Sequence, residues 1–383
     1  MIFNFSQIIK IIFFSKFNFL FPKKNKILIY DSHSSIFAKI IFKNMNFEVM
    51  HTRLEEINLS VFIISIIKYG LNNLSFNYRK TYLSFVNPKI VFSSVDTNIG
   101  FYLLKEKLKK YIFISVQNGM RLKKHYLDLQ KQNKKIGKKL KMDYIFTLGE
   151  VDKNELIKVF DAKIVAIGNI FCNSFKINKN EKKEKTVIYI QQASLPLKKN
   201  PKNFAQAHQK DIFYQEIHLI KLAYAFCKKN KLKFVIFIKR PNTKNIITNA
   251  TKLQDLNFKN FSANKKIGYK TLDKSKLVIT SFSSLGFESI SRGNKTVILP
   301  PKKALVLNKK WFPLIKMRNK KINNQKFFLF GKINQIRFDK HVKSIISSSP
   351  QNWNMIRSEV SKSVMKYNAK NQKISKIINE ILN

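Results

Sequence analysis

Two sets of residues in this chain have the types and placing that group-transfer chemistry needs. The first holds Asp31, His33, Asp96 and Glu150, each close behind a short apolar run. An acceptor hydroxyl that attacks an activated carbon must lose a proton, and a carboxylate or imidazole at a strand end is placed to take it. Asn98, Gln117, Asn118 and Gly119 stand at similar positions, and with Glu150 they form the expected acceptor-binding set, the amide side chains suiting sugar hydroxyls. The second set holds Lys239, Arg240 and Pro241 behind one apolar run, and residues 276–300, KLVITSFSSLGFESISRGNKTVILP, around another. There Ser283, Ser284 and Leu285 open a helix that runs to Arg292 and ends at Gly293. The free N–H groups and positive dipole end of such a helix suit a phosphate, and Lys239 with Arg240 would grip it from a second side. Glu288, one turn in, has the wrong charge for a phosphate and suits a ribose hydroxyl. Each of these residues also has an ordinary use: Ser and Asp cap helices, and Asn-Gly makes turns.

Positioning them requires strands that end where the polar residues begin. Apolar runs predict strands over Lys26–Asp31, Phe47–His51, Pro88–Ser94, Tyr111–Val116, Asp143–Leu148 and Lys163–Ile167. Helical patterns lie between them, with Asn58 capping an apolar helix from Leu59 to Tyr69. A Lys/Glu/Asn-rich linker follows over 176–185. The alternation restarts at Thr186–Gln191, with a long helix to Lys229 and a strand over Lys233–Ile238. Strand–helix alternation implies α/β architecture with parallel sheets. The expected organisation is an N-terminal amphipathic segment 1–25, a first domain 26–175, a second domain 186–345 and C-terminal helices 346–383. Both domains are read as Rossmann-like and doubly wound, facing each other across a cleft of the kind that binds ligands.

The composition narrows the class. The 383 residues are 44% hydrophobic, enough for two cored domains and too many for a disordered polymer. Lys and Arg number 73 against 22 Asp and Glu, a net charge of +51. The positive charge is overwhelmingly Lys, spread along the chain beside abundant Asn, Ile and Phe. Nucleic-acid readers favour clustered Arg, so no specific nucleic acid is expected. Solubility and attraction to anionic lipid and phosphorylated substrates remain. Cys172 and Cys227 have no ligand spacing, and His125, His208, His218 and His341 are isolated. No metal and no cofactor are therefore expected.

The first 21 residues, MIFNFSQIIKIIFFSKFNFLF, are interrupted by Lys10 and Lys16, which disfavours a spanning helix, and no small-residue cleavage site follows. Two readings stand: an amphipathic helix on the cytoplasmic leaflet, followed by Lys23, Lys24 and Lys26, or a helix packed on the domain. Leu59–Ile67 is too short to cross a bilayer and reads as a core helix.

The stretches YDSHSS, HTRLEEINL, NPKIVFSSVDTNIGFYLLK, FISVQNGMR, DYIFTLGE, IGNI and ITSFSSLGFESISRGNK, in that order, resemble bacterial surface carbohydrate (lipopolysaccharide) biosynthesis proteins. The layout is similar to two-domain GT-B glycosyltransferases. Among these, polysialyltransferases and CDP-glycerol glycerophosphotransferases hold a cytidine nucleotide with a Lys-x-His-Pro turn and a Ser-Ser turn. Ser283 and Ser284 match the second turn. Lys239-Arg240-Pro241 resembles the first, with Arg240 where the His would be. Asn118-Gly119 stands where those relatives carry a His-Gly turn with the His as proposed base, so the base falls to Asp31, His33 or Asp96. The resemblance implies a metal-independent transferase, peripheral on the inner membrane. It would move a sugar from a nucleotide-linked donor held by the domain 186–345, CMP or CDP among the candidates, to a glycan or lipid-linked acceptor held by the domain 26–175. Glycerophosphate transfer from a CDP-linked donor and a non-catalytic assembly role are the alternatives.

Overall fold

The tetrapeptides ILIY, IVFS and LVIT are buried at every position, as strands covered on both faces must be. In the computed structural model, which describes residues 15–53, 55–121, 123–177, 183–192, 204–238, 240–300, 328–329 and 331–383, they lie inside two parallel sheets. The chain divides into two compact units. The first is Met1–Leu148 with Asp152–Ser174 and Asn371–Asn383, and the second is Gly149–Val151 with Phe175–Lys370.

In the first unit the strands are β1 (Lys16–Asn18), β2 (Ile27–Tyr30), β3 (Glu48–Met50), β4 (Glu56–Asn58), β5 (Ile90–Ser93), β6 (Ile112–Val116), β7 (Leu140–Thr147) and β8 (Phe160–Ala166). Six of them form one sheet in the order β3-β2-β5-β6-β7-β8, and β1 pairs with β4 apart from it. Every pairing is parallel. Alternate side chains supply two separate cores: Leu28, Tyr30 and Val91 on one face, Ile27, Ile29, Ile90 and Phe92 on the other. The second face is completed by Ile374, Ile378 and Ile381, spaced along one stripe of the helix Gln372–Leu382. The end of the chain thus belongs to the first unit, whereas the sequence groups it with the helices after residue 346.

Asn58 caps the helix Leu59–Tyr69 as expected, its Oδ1 accepting from Val61 N at 3.0 Å. That helix differs from the core helix read in the sequence. Only Val61 and Ser65 are buried, while Ile63 and Ile67 face outward. It meets the helix Leu74–Val86 at a bend of 114°, and among the described residues no single helix is long and apolar enough to cross a membrane.

In the second unit β9 (Thr186–Ile190), β10 (Lys233–Ile238), β11 (Asn257–Asn260), β12 (Leu277–Thr280) and β13 (Thr296–Ile298) form an all-parallel sheet in the order β11-β10-β9-β12-β13. β11 is half exposed and carries Asn and Lys, so it gives no apolar run to read. In each sheet the strand order reverses once, at β2/β5 and at β9/β12. The crevice past the carboxyl ends of such a pair is where open α/β sheets bind ligands.

Candidate functional site

Strand register decides which polar residues share an edge. In the second unit Ile190, Phe237 and Thr280 lie side by side. The residues that follow therefore emerge together at one sheet end: Gln191 and Gln192, Arg240, and Ser281 to Ser284. Two structural groups hold this end in shape. Glu216, fully buried on the long helix Phe204–Lys229, accepts from Gln192 N at 2.7 Å, from Ser281 Oγ at 3.1 Å and from Gln191 Nε2 at 3.4 Å. It ties the turns after β9 and β12 to each other, which keeps the reversal point rigid. Gly286 lets the helix Ser284–Ser291 lie on β12, since a Cβ there would come 2.5 Å from Thr280 Cγ2.

Ser283 is the N-cap, its Oγ accepting from Leu285 N at 3.3 Å, and Gly286 N donates to Ser283 O at 3.0 Å. Ser284 is half-buried, and among the described residues nothing engages its backbone N–H or its hydroxyl. Leu285 is buried beneath it. Arg240 is exposed, with its guanidinium unpaired among the described residues. Lys239 lies outside the described residues.

Glu288 sits differently from the ribose-facing role read in the sequence. Its carboxyl points into the unit and accepts from the Tyr269 hydroxyl. Burial pushes its pKa up to about 7, against the opposing pull of the Tyr269 hydrogen bond, Lys265 and Arg292. Arg292, beside it, is buried and forks onto Asp273, with Nε 2.8 Å from Oδ1, and its guanidinium covers the rings of Tyr269 and Tyr367. This cluster locks the helix onto its surroundings. Glu150, read as acceptor-binding, falls in the second unit and is paired with Lys366.

In the first unit Ile29, Phe92 and Ile114 are in register, so Asp31, His33, Asp96, Asn98, Gln117, Asn118 and Gly119 all gather at the carboxyl edge. Asp31 holds a left-handed backbone, φ 88°, rare for a residue with a Cβ. Its buried carboxylate accepts from His33 N at 2.9 Å, Thr52 Oγ1 at 3.0 Å and Arg53 Nε at 2.8 Å. Held by three donors, one of them a guanidinium, Asp31 is suited to positioning its neighbours. His33 is exposed, with Nδ1 3.5 Å from Asp31 Oδ1, so the imidazole is the open group of the pair. Ser34 accepts from Ser94 N at 2.8 Å and clasps the two turns of the reversal point.

Asp96 is engaged as well. Arg121 forks onto it, with Nε 2.7 Å from Oδ2, and the same guanidinium donates to Asn118 Oδ1 at 2.6 Å. His125 lies close enough to feel both charges, and burial lowers its pKa. Gln117 spans Leu148 N and Gly119 O at 3.2 and 3.0 Å, which turns it inward as a brace. At Asn98 the side chain leaves the helix Ile99–Lys107 uncapped. A Cβ at Gly100 would meet Asn98 Oδ1 at 3.1 Å and Arg79 Nη1 at 3.2 Å, so a glycine there leaves room for the guanidinium. Arg53, Arg79, Arg121 and Glu216 escaped the sequence reading: Arg79 and Glu216 lie within helices, and Arg53 and Arg121 stand three and five residues past the ends of β3 and β6. The scarcity of Arg in a Lys-rich chain was the available signal. Among the described residues no group of three or more His, Cys, Asp or Glu could hold a metal ion.

The fold has solved counterparts. The spinosyn rhamnosyltransferase SpnG superposes with a TM-score of 0.53 at 10% identity, covering 94% of this chain and 100% of its own. The S. aureus MnaA–UDP co-structure gives 0.51 at 11%, covering 94% and 97%. The UDP-GlcNAc 2-epimerase from Neisseria meningitidis bound to UDP-GlcNAc gives 0.50 at 13%, covering 93% and 98%. No curated protein sequence matches the chain. The model of an O-antigen biosynthesis protein family matches residues 114–382, from β6 to the last helix. That match takes in the Ser283–Ser284 turn, the whole second sheet and β6 to β8 of the first, and with two Rossmann-like domains of GT-B type, the chain belongs to the O-antigen biosynthesis family.

Proposed function

We propose that the protein is a glycosyltransferase that moves a sugar from a nucleotide-sugar donor to a glycan or lipid-linked acceptor of the cell surface. The observation that carries this reading is the N–H and hydroxyl of Ser284, unengaged among the described residues at the reversal point of the second sheet, with exposed Arg240 at the same sheet end behind β10. An N–H, a hydroxyl, a dipole end and a guanidinium are what a departing nucleotide phosphate needs. In the reaction an acceptor oxygen bonds to the anomeric carbon while the bond from that carbon to the phosphate oxygen breaks. The electron pair leaves with the phosphate, where Arg240 and the helix end offset its charge. The acceptor's proton goes to His33, which Asp31 positions. This assignment narrows the base to one of the three side chains named from the sequence. These groups can serve a leaving phosphate without a metal ion. The MnaA–UDP and UDP-GlcNAc-bound relatives add a uridine nucleotide to the cytidine donors suggested by the Ser-Ser turn. The enzyme would act at the cytoplasmic face of the inner membrane.

The test is a thermal-shift panel of CMP, CDP, UDP, GDP and ADP. One nucleotide is expected to raise the melting temperature, and both Ser284→Asp and Arg240→Ala are expected to abolish the shift. Asp is a good residue in a first helical turn, so Ser284→Asp keeps the helix while repelling the phosphate. A flat panel on the folded protein defeats the reading. Product mass then separates a transferred sugar from a transferred glycerophosphate, and binding without turnover marks an assembly factor.

A further inference from the structure

The helix Leu59–Tyr69 has an apolar face that nothing among the described residues covers. Ile67 is 80% exposed, and Ile63, one turn earlier on the same side, is exposed as well. Leu71, just past the positive-φ Gly70 that ends the helix, is 73% exposed as well. At the other end the row continues into a separate segment. Ser60 Oγ donates to Phe19 O at 2.6 Å, and Asn58 Nδ2 donates to Leu20 O at 2.5 Å. This fastens Phe19 and Leu20 to the first turn of the helix, where they are 66% and 79% exposed. A monomer rarely shows so many large apolar side chains in one row without a partner for them.

The charge around the row names the partner. From Met1 to Tyr30, and again from Ile57 to Val95, the chain contains no Asp and no Glu. Lys16, Lys23, Lys24 and Lys68 are exposed in these segments. At the carboxyl end of the helix, Tyr69 lies between two cations, with Lys80 Nζ 4.7 Å and Lys68 Nζ 5.6 Å from the ring centroid. An aromatic ring with lysines beside an aliphatic face is suited to a lipid headgroup boundary: the stems and ring sit in the apolar layer and the ammonium groups reach phosphate.

We infer that this face, built on Phe19, Leu20, Ile63, Ile67 and Leu71, docks the first unit onto an anionic lipid bilayer. The inference deepens the membrane location given above. It moves the contact from the opening segment alone to a surface made by two segments distant in sequence. It needs no donor and no turnover, so it stands or falls separately from the glycosyltransferase reading.

Flotation of the full chain with vesicles tests it. The wild type is expected to float with phosphatidylcholine vesicles containing about 30% phosphatidylglycerol. With phosphatidylcholine alone it should stay in solution. Ile63→Asp/Ile67→Asp should weaken anionic-vesicle binding at least tenfold, and Lys68→Ala/Lys80→Ala several-fold, with a reduced response to added salt. Leu71→Asp, placed outside any helix, gives an independent reading should the double variant fold poorly. Unchanged flotation of folded Ile63→Asp/Ile67→Asp and Leu71→Asp overturns the inference. So does a wild type that ignores anionic vesicles. A dimer that these substitutions dissociate, without vesicle binding by the wild type, assigns the face to a second copy of the chain and equally overturns it.

Discussion

Gly286 lies so close to Thr280 that a methyl group on its Cα would sit 2.5 Å from Thr280 Cγ2. The helix that opens at Ser284 is seated on β12 because residue 286 has no side chain, and that seating aims its amino end past the sheet. Gly286→Ala should therefore destabilise the protein by about 1–3 kcal/mol through overpacking. Thr280→Ser removes the opposing methyl and keeps the hydroxyl that bonds Ile190 O at 3.2 Å. The double variant should recover much of the loss in a denaturant melt. A double variant no more stable than Gly286→Ala alone would place the clash elsewhere.

His33 and Asp31 should separate in kinetics. His33→Ala removes the proposed proton acceptor and should lower kcat about 10²–10⁴-fold while leaving nucleotide affinity unchanged. Asp31→Asn keeps a side chain that can accept from His33 N but loses the charge facing Arg53. It should lower activity less and shift the pH–rate profile, which a purely structural carboxylate would not do. Full activity in His33→Ala rules the imidazole out.

Glu288 should make stability depend on pH. Burial raises its carboxyl from 4.5 to about 7 in the folded chain, so the folded state favours the protonated form. Its stabilising contribution is complete below about pH 4.5 and is lost as pH rises through about 7. The full loss is about 3 kcal/mol, taking about 1.4 kcal/mol per unit. Glu288→Gln, which never ionises, should lack this decline and overtake the wild type above about pH 7. Urea melts at pH 5, 6, 7 and 8 read the crossing. Parallel curves for the two proteins would contradict the assignment.

The Asp273–Arg292 pair should behave as a buried unit. Both side chains are nearly inaccessible, and Asn294 Nδ2 adds a hydrogen bond to Asp273 Oδ1 at 3.2 Å. Asp273→Ala strands a buried guanidinium and should cost about 3–5 kcal/mol. Asp273→Leu/Arg292→Met should cost less than either single change, because neither charge is then left alone. Additive losses in a double-mutant cycle would deny the coupling.

Much of this architecture was readable before any coordinates. Runs such as KILIYD, PKIVFSS and KLVIT announce buried parallel strands because burial on both faces permits only apolar residues. Residues at strand ends, Asp31, Asp96 and Gln117 among them, gather at one edge because a parallel sheet puts all its carboxyl ends on the same side. The family resemblance rested on the same stretches. The polar strand β11 stayed hidden, since half-exposed Asn and Lys follow no apolar pattern. The outward face of Leu59–Tyr69 stayed hidden too, because a run such as IISII is apolar on every side and its periodicity cannot say which side is covered.

The amino acids alone determined the kind of chain this is: alternating strands and helices, a Ser-capped helix at a strand end, and a Lys-dominated charge. These are local properties, fixed by neighbours within a few residues. Tertiary structure decided which groups remain available. Asp31, Asp96, Gln117 and Glu288 all look free in one dimension, yet Arg53, Arg121, Leu148 and Tyr269 occupy them. Among the described residues, His33, Ser284 and Arg240 are left open. A hydrogen-bonding group has few bonding positions, and whether they are filled depends on residues that arrive from far along the chain.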